Sequence, residues 1–225
     1  MSTTTLTDRF TRQGEVVPRE AIASTTPMIA GVGAIGRQVT MQLAAIGCPK
    51  LMIYDFDKVD LSNVTTQGYR VRAIGRPKVK AMAEDLRYYL DDEVEVVAHN
   101  SEFNLAAIRD VEKPVVFLCV DTMDARKLIG ESCEAFEIPL LVDGRMASEY
   151  VRTVTVDDGD YQRYYDSLVT DAEAVQGRCT TESTMFAASL AASLMVHEFT
   201  RFLRGVPTNK DMLMSLPEGT WTPSL

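Results

Sequence analysis

Six residues, Gly31-Val32-Gly33-Ala34-Ile35-Gly36, place three glycines where a chain can turn tightly and bring its backbone against a ligand. Between a strand and a helix, such a loop leaves bare amide N–H groups at the helix start, where the helix dipole adds partial positive charge. The chemistry it serves is phosphate binding. Asp55, nineteen residues after Gly36, ends the next apolar run and is placed to accept hydrogen bonds from ribose hydroxyls. These features leave NAD, FAD and ATP all open. Lys78 heads a helix, where the dipole disfavours a cation, and this points to a functional use. Asp57 and Asp124 read either as caps or as site carboxylates. Cys179 follows Arg178 and precedes a helix start; both neighbours would lower its thiol pKa, the route to a reactive thiolate. Cys119 and Cys133 fall in an apolar strand and a helix and read as core. His99 and His197 have no partner that suggests a triad.

The elements that must position these groups alternate. Met28 to Gly31 is a short apolar strand, and Arg37 to Ile46 has helical spacing stopped by Gly47. Leu51 to Tyr54 is a second strand, followed by a polar, irregular loop over 56–76. Lys78 to Tyr89 is helical, Val94 to Ala98 a strand, and Pro114 to Val120 a strand apolar enough to be covered on both faces. A helix over Asp124 to Phe136, a strand over Pro139 to Val142 and an alternating strand over Val151 to Val156, with one wet face, come next. Residues 157–176 show no period. Thr184 to Leu203 is a long Ala- and Met-rich helix closed by Gly205. The spacing predicts an α/β, Rossmann-like, doubly wound, mostly parallel sheet with helices on both faces. Residues 1–24 read as an N-terminal arm, 25–205 as the nucleotide-binding domain and 206–225 as a tail with no clear signal, in which Trp221 packs onto the domain or docks a partner.

Bulk composition narrows the function classes. The chain has 225 residues, 46% of them hydrophobic and 24% charged, with a formal net charge of -9. That charge disfavours a nucleic-acid surface, which needs clustered Lys and Arg. No apolar run approaches the roughly 20 residues that span a bilayer, so no membrane role and a cytoplasmic location are expected. The four cysteines form no Cys-x-x-Cys pair.

The stretch Asp55-Phe-Asp57-Lys-Val59, then Ser62-Asn63-Val-Thr-Thr-Gln67 and Ile74-Gly75-Arg-Pro-Lys78, resembles the ThiF/MoeB/ubiquitin-activating-enzyme superfamily. Its second strand ends D-x-D-x-V, continues S-N-L-x-R-Q and reaches I-G-x-x-K. Arg9-Phe-Thr-Arg12-Gln13 is similar to its R-Y-x-R-Q arm, and Val120-Asp121-Thr-Met-Asp124-Ala-Arg126 to its V-D-x-x-D element. The resemblance implies ATP and magnesium as ligands, and transfer of AMP to the C-terminal carboxylate of a small ubiquitin-like or sulfur-carrier protein. It implies that Gly31, Gly33, Ala34 and Gly36 cradle phosphate, Asp55 and also Asp57 serve the ribose or pocket, and Asn63 and Gln67 line the pocket. Lys78 would contact phosphate, and Asp124 would sit near magnesium or the attacking carboxylate. Arg12 would reach the phosphates, in some relatives from the other subunit of a homodimer. Cys179 falls where thioester-forming relatives carry a catalytic cysteine. Three positions depart from the pattern: Thr66 stands for a phosphate-binding Arg, with Arg70, Arg72 or Arg76 as substitutes, Ala34 for a frequent Gly and Ala125 for an Asn. Two other functions stay open: an NAD- or FAD-dependent oxidoreductase, and a catalytically degenerate nucleotide-binding partner subunit.

Overall fold

The computed structural model describes residues 6–14, 16–91, 93–168 and 183–224. Eight strands form one sheet: β1 (Thr26–Ala30), β2 (Lys50–Tyr54), β3 (Glu95–His99), β4 (Pro114–Leu118), β5 (Leu141–Ala147), β6 (Tyr150–Val156), β7 (Asp211–Ser215) and β8 (Thr220–Ser224). Their order is β3-β2-β1-β4-β5-β6-β7-β8. The first five run parallel, and β6 to β8 extend the sheet antiparallel. The chain leaves β1 toward β2 and β3, then returns to place β4 on β1's other side, with Met28 beside Val116. The carboxyl ends of β1 and β4 therefore flank a topological switch point, where open α/β sheets take ligands.

Nine-tenths or more of the side chains of β1 and β4 beyond their first residues are covered, as expected for strands sandwiched between helices. One face of the sheet, with Ile29, Phe117 and Val142, packs on α2 (Ala34–Ile46), α4 (Lys78–Leu90) and α8 (Met185–Leu203). The other, with Met28, Val116 and Leu141, packs on α6 (Met123–Ala135) and α7 (Tyr161–Asp166). Shorter helices are α1 (Arg19–Ala23), α3 (Ser62–Gln67) and α5 (Leu105–Ile108). The alanines of α8, Ala187, Ala188, Ala191 and Ala192, are buried within this chain. At Gly144 of β5 an added Cβ would lie 2.3 Å from Met195 Sδ, so the helix reaches the sheet over a glycine. The fold is the doubly wound α/β sheet that the sequence predicts.

Three details differ from expectation. Strand β6 has no wet face over 153–156: Thr153 and Thr155 are buried on the α8 side, and Val154 and Val156 on the α7 side. Threonine fits a covered strand as readily as a wet one, so alternation misleads here. Residues 157–176 include α7, whose first turn is capped by the Asp160 side chain accepting from the Arg163 amide at 3.0 Å. Six residues are too few to show a helical period. The stretch after Gly205 supplies β7 and β8, latched by Glu198 of α8, which accepts from the Asn209 amide (2.7 Å) and Nδ2 (2.8 Å). Among the described residues no helix is long and apolar enough to cross a membrane.

Candidate nucleotide site

At the switch point each glycine of the loop has a separate task. Gly31 follows β1 at φ +86°, the left-handed region, and an added Cβ would lie 2.8 Å from the Cys119 carbonyl oxygen at the end of β4. Gly36, one turn into α2, has its missing Cβ only 1.9 Å from the Gly31 oxygen, so helix and loop touch backbone to backbone. Gly33 is the N-cap of α2 and has nothing within 4 Å of a built Cβ. No side chain caps this helix, and the space beside Gly33 is open. Ala34 heads α2 in helical conformation, where a methyl in place of hydrogen is no burden. An anion fits this cradle.

Asp55 follows β2 and ties the loop down. Its Oδ2 accepts from the Val32 amide at 2.9 Å and its Oδ1 from the Asp57 amide at 2.8 Å. Buried Tyr69 donates its hydroxyl to the Val32 carbonyl at 2.7 Å, so Val32 is held through both its backbone polar groups. Asp57 pairs with Lys78: Nζ to Oδ2 is 2.9 Å, and the Lys78 amide donates to the Asp57 carbonyl, also at 2.9 Å. The Lys78 side chain is 9% exposed, and half-exposed Asp57 offsets the helix dipole that opposes a cation there. A short ladder joins Val59 to Arg76 and Gly75, which fixes both partners. Asn63, in α3, uses its Oδ1 to accept from the Asp60 amide at 2.9 Å. The Gln67 Oε1 is buried without a partner. Thr66 spends its hydroxyl on the Ser62 carbonyl at 2.7 Å. Of the arginines considered as its substitute, Arg70 pairs with Asp85 and Arg76 with Glu84 (2.6 Å), both on α4, while Arg72 is exposed.

Beyond β4 the chain turns through Asp121 into α6, with Thr122 as N-cap accepting from the Ala125 amide at 3.3 Å. Asp124 lies exposed in the first helical turn, and exposed Asp121 leaves the strand end directly. Beneath them is a buried charge cluster. Arg126 donates to Asp143 Oδ1, to the Val120 carbonyl and, at 3.2 Å, to the Gly144 carbonyl. Arg145 donates from Nε to Asp143 Oδ2 at 2.8 Å. Burial lowers both guanidinium pKa values to about 10, and for Arg126 the neighbouring Arg145 adds to the shift. Burial likewise pushes the Tyr164 hydroxyl, 3.3 Å from Asp143 Oδ2, up to about 12. Asp143 and Arg145 escape a sequence reading, although two charges in the apolar run 140–146 are a signal. Asp121 was in view only as a motif letter.

One expected residue is not brought to the cradle. Arg12 is exposed in a 3-10 helix (Leu6–Gln13) whose Phe10 ring packs on Gly47, at the far end of α2. Thirteen residues of α2 separate that end from Gly33, roughly 20 Å. Cys179 and Arg178 lie outside the described residues. Burial pushes the thiols of Cys119 and Cys133 up to about 12, and Cys48 also upward, in keeping with core roles.

A profile of the ThiF family matches residues 6–222. Ubiquitin-like modifier-activating enzyme 5 of Caenorhabditis elegans is 29% identical over 137 residues, which cover 54% of this chain and 32% of that protein. Molybdopterin-synthase adenylyltransferase of Escherichia coli (strain K12) is 30% identical over 147 residues, covering 63% of this chain and 58% of the relative. The chain thus spans about a third of the length of the first relative and somewhat over half of the second. Among solved structures, that of E. coli MccB with ATP superposes with a TM-score of 0.80 at 16% identity, over 96% of this chain and 71% of that one, a likeness of fold.

Proposed function

Because this chain belongs to the ThiF family, we propose that it is a ThiF/MoeB-type adenylyltransferase acting on the C-terminal carboxylate of a small ubiquitin-like or sulfur-carrier protein. The observation that carries the reading is the convergence at one strand-end crevice of the open helix start at Gly33, Asp55 and the Asp57–Lys78 pair. ATP fits with its phosphates on the α2 amides. Its ribose shares the Asp55 carboxylate, whose oxygens each keep lone-pair capacity beyond one amide bond. Asn63 and Gln67, whose buried Oε1 has no partner, line the pocket. A substrate carboxylate oxygen attacks the α-phosphorus, an acyl–O–P bond forms, and the bond to pyrophosphate breaks. Lys78, released from Asp57 by phosphate, offsets the charge that develops on the phosphate oxygens.

Magnesium binds well through one or two carboxylates with phosphate oxygens. Among the described residues no group of three or more ligands forms a cage of its own, which suits that mode. Asp124 and Asp121, both exposed at the head of α6, are the carboxylates that would hold it, and it would neutralise phosphate charge. Arg12 would serve the site of the partner in a homodimer: 3-10 rise from Phe10 adds only about 4 Å, too little to recross α2. Cys179 would then attack the acyl adenylate, forming a thioester and releasing AMP. The test is magnesium-dependent ATP/pyrophosphate exchange with a protein ending in a free carboxyl glycine. Absence of both exchange and ATP binding would refute the reading. Cys179→Ala that abolishes a thioester and spares exchange assigns the second step. Nucleotide binding without turnover is the other reading, carried by Thr66 and by the engagement of Arg70 and Arg76 elsewhere; ATP binding without exchange would favour it.

A further inference from the structure

The turn that carries Asp121 and Asp124 is held from beneath by a single buried carboxylate. Asp143 is fully buried in β5 and gives one oxygen to Arg126 and the other to Arg145. The Arg126 guanidinium also grips the carbonyl of Val120, the residue before Asp121, and that of Gly144. Its own backbone lies in the second turn of α6, on the helix that begins beside Asp124. One side chain thus ties together the exit of β4, the head of α6 and the middle of β5. Arg145 carries the connection on: its Nη1 donates to the Ser167 carbonyl at 2.7 Å and its Nη2 to the Ser167 hydroxyl at 2.9 Å, at the end of α7.

Two guanidiniums share one fully buried carboxylate, with Asp121 adding negative charge near Arg126 and Asp211 near Arg145. A buried ion pair of this kind is a poor source of net stability compared with apolar packing. What it supplies is direction. The planar fork of an arginine fixes several acceptors in one plane, which a lysine does not do. The acceptors here are the backbone carbonyl at the strand exit and its neighbours, so the geometry is spent on the path of the turn. We propose that Arg126 and Asp143 are positioning residues that set the Asp121–Asp124 turn for carboxylate adenylation, with Arg145 anchoring the same carboxylate to the end of α7. The inference rests on reading this crevice as the adenylation site.

The test compares wild type with Arg126→Lys and Asp143→Asn, each alone and combined with Asp121→Asn, after circular dichroism and Tm confirm folding. Amide hydrogen exchange on the ligand-free chain comes first. The amides of 119–124 should exchange at least tenfold faster in both single variants, while those of 28–30 and 115–118 keep their rates. Unchanged exchange at 119–124 overturns the proposal whatever the chain's activity. In ATP/pyrophosphate exchange, kcat should fall at least thirtyfold with the KM for ATP within threefold, and neither substitution should add to the loss in the Asp121→Asn background. Additive losses, or a rise in KM alone, would also overturn it. A wild type without exchange activity refutes the adenylation reading instead, and the hydrogen-exchange result still decides whether Arg126 sets the turn. Should Arg126→Lys fail to fold, Asp143→Asn carries the same comparison, since it keeps the side-chain shape while removing the charge and one of the two acceptor oxygens that hold the arginines.

Discussion

Two alanines placed three residues apart should separate packing from binding. In Gly36→Ala the new methyl falls 1.9 Å from the Gly31 oxygen and 3.1 Å from Cys119 Cβ, far inside van der Waals contact. Backbone oxygen cannot rotate away, so α2 must retreat from the loop by roughly an ångström. Overpacking of this kind costs about 1–3 kcal/mol. For a chain of 225 residues each kcal/mol is about 2–4 °C, so Tm should fall by roughly 2–12 °C. The retreat also misaims the α2 amides, and losing one hydrogen bond to a charged phosphate is worth about 1.5–3 kcal/mol, or roughly 10- to 150-fold in affinity. Gly33→Ala is the counterpart: nothing lies within 4 Å of its added carbon, so Tm should stay within about 1 °C of wild type. The methyl nevertheless fills the space where phosphate meets backbone, and ATP affinity should drop by a similar factor. Calorimetric titration of a non-hydrolysable ATP analogue, beside thermal melts, reads both. A Gly33→Ala protein that binds the analogue as tightly as wild type would refute the cradle, and an unshifted Tm for Gly36→Ala would refute the close packing.

Lys78→Met should reduce exchange activity by two orders of magnitude or more, as expected for removal of a preorganised charge, while costing at most about 1 kcal/mol of stability because Asp57 is half exposed; denaturant melts and exchange rates measure the two. Mixing inactive Arg12→Ala with inactive Lys78→Met should restore up to about a quarter of wild-type exchange, since half the dimers are mixed and each holds one intact site. Failure of the mixture to recover would rule out delivery of Arg12 across subunits. Tyr69→Phe removes the hydroxyl that holds the Val32 carbonyl and should lower stability by about 1–1.5 kcal/mol, read as a shift in the urea midpoint at constant slope. The raised thiol pKa values of Cys119 and Cys133 give stability that is full below the unfolded value near 8.5 and is lost as pH climbs toward 12. Tm should therefore hold from pH 7 to 8 and fall above about pH 9, with a shallower fall in Cys133→Ala.

The glycine loop was legible because Gly31 and Gly36 each answer a local demand that only glycine meets, and the same holds for Gly47 as the stop of α2. Asp55 and Lys78 were legible because they end or begin an element. Their partners were less so. Asp57 read also as a cap, and only the fold shows it against Lys78, twenty-one positions on. Arg12 was in view as a motif residue, but its distance from Gly33 depends on where Phe10 packs, which no local pattern encodes. Asp143 and Arg145 act through residues from α6 and α7, contacts of long sequence separation with no periodicity to announce them. The strands β7 and β8 were missed because Pro223 and the turn at Gly219 break any regular alternation at an edge. Two chemistries share the glycine loop, and what separates them in sequence is the stretch after Asp55.

The order of the strands also governs how the crevice comes into being during folding. β5 and β6 are neighbours in sequence, joined through Ser148 and Glu149, and β7 and β8 are joined almost as tightly. Hairpins of this kind close within microseconds. β1, by contrast, meets β4 only after α2, β2, α3, α4, β3 and α5 have intervened, and closing so long a loop carries an entropic cost that hairpins escape. The contact of Gly31 with the end of β4 belongs to that slow pairing. Phosphate binding is therefore a report on one long-range pairing: a chain with β4 undocked from β1 has no cradle, and gains ligand affinity only as the two strands zip together.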